Sequence, residues 1–171
     1  FTGDQHLLDV RIAVEIKVTL GPFVIYHYSL RGLEEWRDGV LMHAAANAND
    51  DGTNRFARAT RDGNHLDVHG SSVKPYPAPA GSLPASHWNE AEIRYPMINA
   101  ENGELMAVTV ADKGMESVPD EAGRPIAARH YALTWREQGT TPRALDLWYE
   151  PSGIWAALTA AAKNGSVIVY R

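Results

Sequence analysis

The residues of this chain that could do chemistry are few and scattered. His65 and His69, in HLDVH, are the pair that first suggests a metal. On a helix they would stand one turn apart, but Gly63 and Gly70 flank the segment and its alternation is that of a strand. Four residues of strand span roughly 13 Å at about 3.3 Å each, too far for two ligands of one ion, so both read as strand histidines facing solvent. Asn47-Ala48-Asn49-Asp50-Asp51-Gly52 mimics the opening of a calcium loop, but its twelfth position is Arg58 where a bidentate Glu is needed. It reads as an Asx-rich turn. Ser86-His87 sets a nucleophile beside a base, yet neighbours in extended chain point to opposite sides, and no nucleophile-elbow sequence frames any serine. Glu34, Glu35 and Asp38 offer carboxylates for work on a glycosidic bond. Glu34 and Glu35 fall on opposite faces and Asp38 in a turn, so they read as solvated or salt-bridged charges beside Arg31 and Arg37. Asn164-Gly165-Ser166 fits a glycosylation sequon, and Asn164-Gly165 already has a complete reading as a tight turn. No catalytic residue, metal ligand or cofactor is assigned.

The aromatic residues carry more information. Trp36, Trp88, Trp135, Trp148 and Trp155 are spread over separate elements, and Tyr149 adjoins Trp148. A closed sheet would gather several of them at one cavity or one exposed seam, which makes these six the candidate ligand or partner contacts.

These residues need a frame, and the chain end supplies its centre. Leu145–Arg171 has three apolar runs separated by Pro151-Ser152-Gly153 and Asn164-Gly165, turn signals that fold consecutive strands antiparallel. Leu145, Leu147 and Tyr149 share one face; Asp146, Trp148 and Glu150 share the other. Both faces carry large apolar groups, so cover on both sides, or a curl, is expected, with Trp148 and Trp155 largely buried. Trp155–Lys163 is alanine-rich and helix-prone, but its bracketing turns make it a strand.

Upstream, Asp9–Tyr28 alternates Val10, Ile12, Val14, Ile16 and Val18 against Arg11, Glu15 and Lys17, a half-buried strand interrupted by Gly21-Pro22. Asp38-Gly39 marks a hairpin, Asn47–Thr53 a polar turn, and Arg55–Thr60 and His65–Val73 short strands. Lys74–Ser86 holds four of the ten prolines and is expected to cross the surface without joining a ladder. Trp88–Pro96 is a weak element. Leu105–Lys113, Met115–Val118 and Ala127–Glu137 add further strands, about ten or eleven in all at barrel-like spacing.

With 171 residues the chain fits one domain with its own core. A net charge of −5 argues against nucleic acid, and the absence of cysteine removes disulfides, thiolate zinc sites and thiol nucleophiles. No apolar run approaches the ~20 residues of a membrane span. The chain begins at Phe1 without methionine, as a processed or trimmed product does.

Glu35-Trp36-Arg37-Asp38-Gly39-Val40-Leu41, Pro84-Ala85-Ser86-His87-Trp88, Leu147-Trp148-Tyr149-Glu150 and Gly153-Ile154-Trp155 resemble a family of exported bacterial proteins known as domain of unknown function 6134. The resemblance covers most of the chain from about Asp9. It implies an envelope protein with a curled antiparallel sheet and an opening hairpin upstream of Phe1. Glu150 stands where members often have Asp. The expectation is therefore a single all-β domain, a curled antiparallel β-barrel or half-barrel built from consecutive hairpins, exported to the periplasm or envelope. Its expected role is noncatalytic: docking on an envelope or membrane protein complex, or binding an apolar or amphipathic small molecule. A hydrolase or lyase acting on glycan or lipid is the alternative.

Overall fold

The structure, a computed structural model, describes residues 6–136, 142–161 and 167–170. The chain divides into two compact units, Phe1–Ala85 with Ile98–Leu105 and Ser86–Met97 with Met106–Arg171.

The first unit is a six-stranded antiparallel meander of β1 (Leu7–Leu20), β2 (Phe23–Arg37), β3 (Val40–Asp50), β4 (Thr53–Asp62), β5 (His65–Gly70) and β6 (Val73–Ala78), each paired with its neighbours in chain order. The turns are those the sequence marks. Asp38-Gly39 (φ 50° and 75°) and Asp51-Gly52 (φ 49° and 91°) are both left-handed, the conformation whose twist matches flanking strands. The polar run from Asn47 is not all turn: its first four residues belong to β3. Asn49 makes this possible by donating to Asn54 Oδ1 at 2.6 Å and accepting from the Gly52 amide at 3.0 Å. Asp50 accepts the Tyr26 hydroxyl at 2.7 Å, so these oxygens serve the hairpin.

One face of this sheet is buried, through Val10, Leu30, Glu34, Trp36, Leu41, Leu66, Val68 and six alanines. Register sets Ala44 opposite Ala59 and Ala46 opposite Ala57, so the sheet centre carries only methyl groups. Beside it the chain returns: a Cβ on Gly70 would lie 2.0 Å from the Asn102 carbonyl oxygen. Tyr76 donates to the Gly103 carbonyl at 2.9 Å and Tyr28 to Glu101 at 2.8 Å, tying residues 98–105 to the sheet.

Two expectations are corrected here. Lys74–Ser86 is not a bare surface crossing: its start is β6, paired with β5, and Ala78, Ser82 and Leu83 are buried. Proline is tolerated on β6 because it is an edge strand, whose outward side needs no donors. No closed or strongly curled barrel is found among the described residues; β1 and β6 are edges with one paired neighbour each. Pro75 and Pro77 deprive β6 of two amide donors that a closing ladder would use. Two-residue strands β7 (Leu83–Pro84), β8 (Met97–Ile98) and β9 (Leu105–Met106) form a third, small sheet.

The second unit is a five-stranded antiparallel sheet of β10 (Thr109–Pro119), β11 (Pro125–Trp135), β12 (Arg143–Tyr149), β13 (Trp155–Ala161) and β14 (Val167–Tyr170), again in chain order. The alanine-rich segment is a strand, as its brackets require; the Asn164-Gly165 turn lies outside the described residues. The two expected strands either side of Gly114 are one strand with a bulge between Asp112 and Gly114. Tyr131, Leu133, Leu145, Leu147 and Tyr149 form the buried face. The opposite face is polar and half-exposed, so the meander is not covered by apolar contacts on both sides.

Candidate functional site

Residues 86–97 pack within the second unit around a one-turn 3₁₀ helix, η1 (Glu90–Arg94), whose cap Asn89 accepts the Ala91 amide at 3.0 Å. Glu92 is 1% exposed and turns back: its carboxylate accepts the His87 amide at 2.8 Å and meets the His87 ring at Nδ1, 2.5 Å away. His87 has φ of 67°, a left-handed conformation that non-glycine residues adopt at a cost. The Tyr149 hydroxyl donates to its carbonyl at 2.9 Å, so the amide, ring and carbonyl of one strained residue are all held. Tyr131 donates to Glu90 at 2.7 Å and meets Tyr149 edge-on, with ring centroids 6.2 Å apart. Burial, then the bond to Glu90, raises the Tyr131 phenol, and burial raises that of Tyr149, so both stay neutral donors.

With Nδ1 engaged by the Glu92 carboxylate, Nε2 of His87 is the ring nitrogen left for another partner. Because His87 has a positive φ, extended-chain alternation does not hold its side chain opposite that of Ser86. The sequence did hold a signal: Asn89 followed three residues later by Glu92 is a capping pattern.

A second polar array crosses the half-exposed face. His130 Nδ1 lies 2.9 Å from Glu116 Oε1 and Nε2 lies 2.8 Å from Asp146 Oδ1. The Trp148 ring stacks on the imidazole at 4.4 Å and 18°, and its indole N–H donates to the other Glu116 oxygen at 3.1 Å. Burial works to lower the His130 pKa, but the bonds to Glu116 and Asp146 outweigh it and raise the group. The arrangement suits a doubly donating imidazolium, with neither nitrogen left to act as a base. Trp148 reads as apolar in sequence, yet here it is the flat cover of a charged ring.

In the first unit the Trp36 indole donates to buried Glu34 at 3.0 Å, so this carboxylate is neither solvated nor a free acid. Asp62, His65 and Asp67 bring one ligand atom each within 4.8 Å of one another at the β4–β5 turn. His65 contributes to that group through a neighbour two residues away, and His69 does not.

The family profile for a domain of unknown function (DUF6134) matches residues 1–171. The chain belongs to the DUF6134 family. No curated protein and no solved structure matches it significantly. Within this DUF6134 chain the six candidate aromatics do not form one surface. Trp36 lies buried in the first unit, and Tyr149, fully buried, occupies the face of β12 opposite Trp148. Trp88, Trp135, Trp148 and Trp155 are half-buried. The indole N–H groups of Trp135 and Trp155 are shut from solvent without an acceptor. Largely buried Trp148 and Trp155 were expected; both are half-buried, Trp148 because β12 turns only its odd-numbered residues to the core.

Proposed function

We propose that this chain is a noncatalytic docking subunit of the bacterial envelope, and that the tip of the β1–β2 hairpin is what it inserts into a larger protein assembly. One observation carries the reading. Leu20, Phe23, Val24 and Ile25 are 70%, 71%, 58% and 55% exposed, four large apolar side chains within six residues. The last β3 residue pairs with Tyr28, so four further residues of β1 carry the tip about 14 Å beyond that rung as a two-stranded ribbon. Exposed apolar clusters of this kind are costly in water and mark interaction sites. No charged residue lies between Lys17 and His27, and the chain carries a net charge of −5, which disfavours an anionic lipid surface and favours an apolar groove on a protein. No helix among the described residues is long and apolar enough to cross a membrane.

A photo-crosslinking residue at Phe23, compared with one at exposed Thr53, tests this in cells of the source envelope. The expected result is one defined envelope protein linked from position 23 and lost in a Val24→Lys background. Equal labelling from both positions would remove the proposal.

A second reading, hydrolysis, is favoured by the His87–Glu92 pair alone. Turnover of a glycan or ester panel that disappears in His87→Gln, with folding intact by circular dichroism, would establish it. No turnover in either protein would leave the pair as a structural clamp.

A further inference from the structure

Among the described residues, no strand pairs with the outer edge of β1 from Asp9 to Lys17. Its other edge is paired with β2 through all fourteen residues, and the bond from the Asp38 amide to the His6 carbonyl fixes the phase. Even-numbered residues of β1 exchange bonds with β2, while odd-numbered residues turn their N–H and C=O outward. Long open edges are usually blunted by proline or a bulge; β1 has no proline, and its register shifts only after Val18.

The order of side chains along this edge is self-complementary. Asp9, Arg11, Ala13, Glu15 and Lys17 lie on one face, and Val10, Ile12, Val14 and Ile16 on the other. We propose that two copies of the chain pair antiparallel through β1, with the two-fold axis at Ala13, and join their six-stranded sheets into one. In that register Asp9 faces Lys17 of the second copy and Arg11 faces Glu15, while Val10 meets Ile16 and Ile12 meets Val14. The odd residues that meet are those whose backbone groups point outward, which gives about ten interchain hydrogen bonds over five rungs. Alanine at the axis keeps the closest pair free of steric conflict.

The neighbouring registers are excluded by charge. A slip of two residues one way sets Asp9 against Glu15, and a slip the other way sets Arg11 against Lys17, both like-charge pairs. A slip of one residue sets the apolar row against the charged one and misaligns the donors. Ile12, Val14 and Ile16 are only half-buried in the single chain, and the second copy would cover them. The two apolar tips would then stand about 48 Å apart at opposite ends of the seam.

The test is a charge-swap series followed by sedimentation equilibrium on the full chain from 1 to 100 µM, a range that brackets dissociation constants typical of weak sheet-edge dimers. The wild-type chain is expected to dimerise, and Arg11→Glu to weaken dimerisation at least tenfold by facing Glu15 of the other copy. The single variants Arg11→Glu and Glu15→Arg should each stay monomeric, yet associate when mixed. The double variant should recover the dimer. Because the chain has no cysteine, Ala13→Cys should form a disulfide dimer on mild oxidation, since paired Cα atoms about 5.5 Å apart suit the bond. A wild-type monomer at 100 µM, a dimer indifferent to Arg11→Glu, or failure of the two single variants to combine would each overturn the proposal.

Discussion

Replacing Gly70 with alanine adds one methyl group where the chain has no room for it. The new Cβ would stand 2.0 Å from the Asn102 oxygen, 2.6 Å from its carbonyl carbon and 2.8 Å from Gly103 Cα, all backbone atoms that cannot swing aside. Overpacking of this kind costs about 1 to 3 kcal/mol, and a clash with backbone belongs at the upper end. Gly32 is the internal control, in the same sheet with the same substitution. Its Cβ would meet Ile12 side-chain atoms at 3.5 Å and the Ala45 oxygen at 3.7 Å, ordinary contact distances. Alanine there should stabilise by roughly 0.5 kcal/mol, because glycine inside a strand loses more backbone entropy on folding. At a urea m-value of about 2 kcal/mol/M, the two midpoints should differ by roughly 1.5 M. Gly70→Ala within 1 kcal/mol of wild type would refute the close crossing of residues 98–105 on β5.

Three further outcomes are expected. Tyr149→Phe should lower stability by about 1 kcal/mol, and by up to about 3 if the His87 carbonyl is left without a donor, read from urea midpoints; no change would mean that the hydroxyl does not hold His87. Because the folded His130 pKa is raised above 6.5, its contribution is complete below that value and is lost as pH rises through the folded one. Glu116 is lowered from 4.5 by the bonds from His130 and Trp148, so its contribution is lost as pH falls through a value below that. The stability difference between wild type and His130→Gln should therefore be largest between about pH 4.5 and 6.5, and a difference that grows above pH 7 would contradict the imidazolium assignment. Glu92→Gln should shift the His87 Cε1–H resonance, whereas Glu116→Gln should leave it in place; a His87 resonance indifferent to Glu92→Gln would remove the pair.

The strands were legible wherever local chemistry decides them. Asp38-Gly39 and Asp51-Gly52 are turn residues by their own φ preferences, and Val10 to Val18 alternate because one face of β1 is half-buried. The same local logic failed at β6, where prolines argue against a ladder unless the strand is known to be an edge. Edge position is a property of the sheet and leaves no mark on Val73–Ala78. The candidate site was hidden for a related reason. His87 takes a left-handed conformation only because Glu92, Tyr149 and its own ring bond hold it, and Tyr149 is more than sixty residues away in the chain. Trp148 misled in the other direction: apolar by type, it stacks on a charged histidine, and so the face it occupies read as one needing cover.

The division of the chain has a consequence for how the protein is made. Residues 98–105 finish the first unit but emerge from the ribosome after residues 86–97, which belong to the second. At about 5 to 20 residues per second, His87 and Glu92 wait roughly 3 to 10 s after residue 97 is made before Tyr149 is synthesised. The first sheet can close over its alanines in that interval, while residues 86–97 still wait for the rest of their own unit. A nascent chain paused in this window would display a carboxylate and imidazole still without Tyr149, and a split of the gene at any single point leaves one of the two units missing a piece of itself.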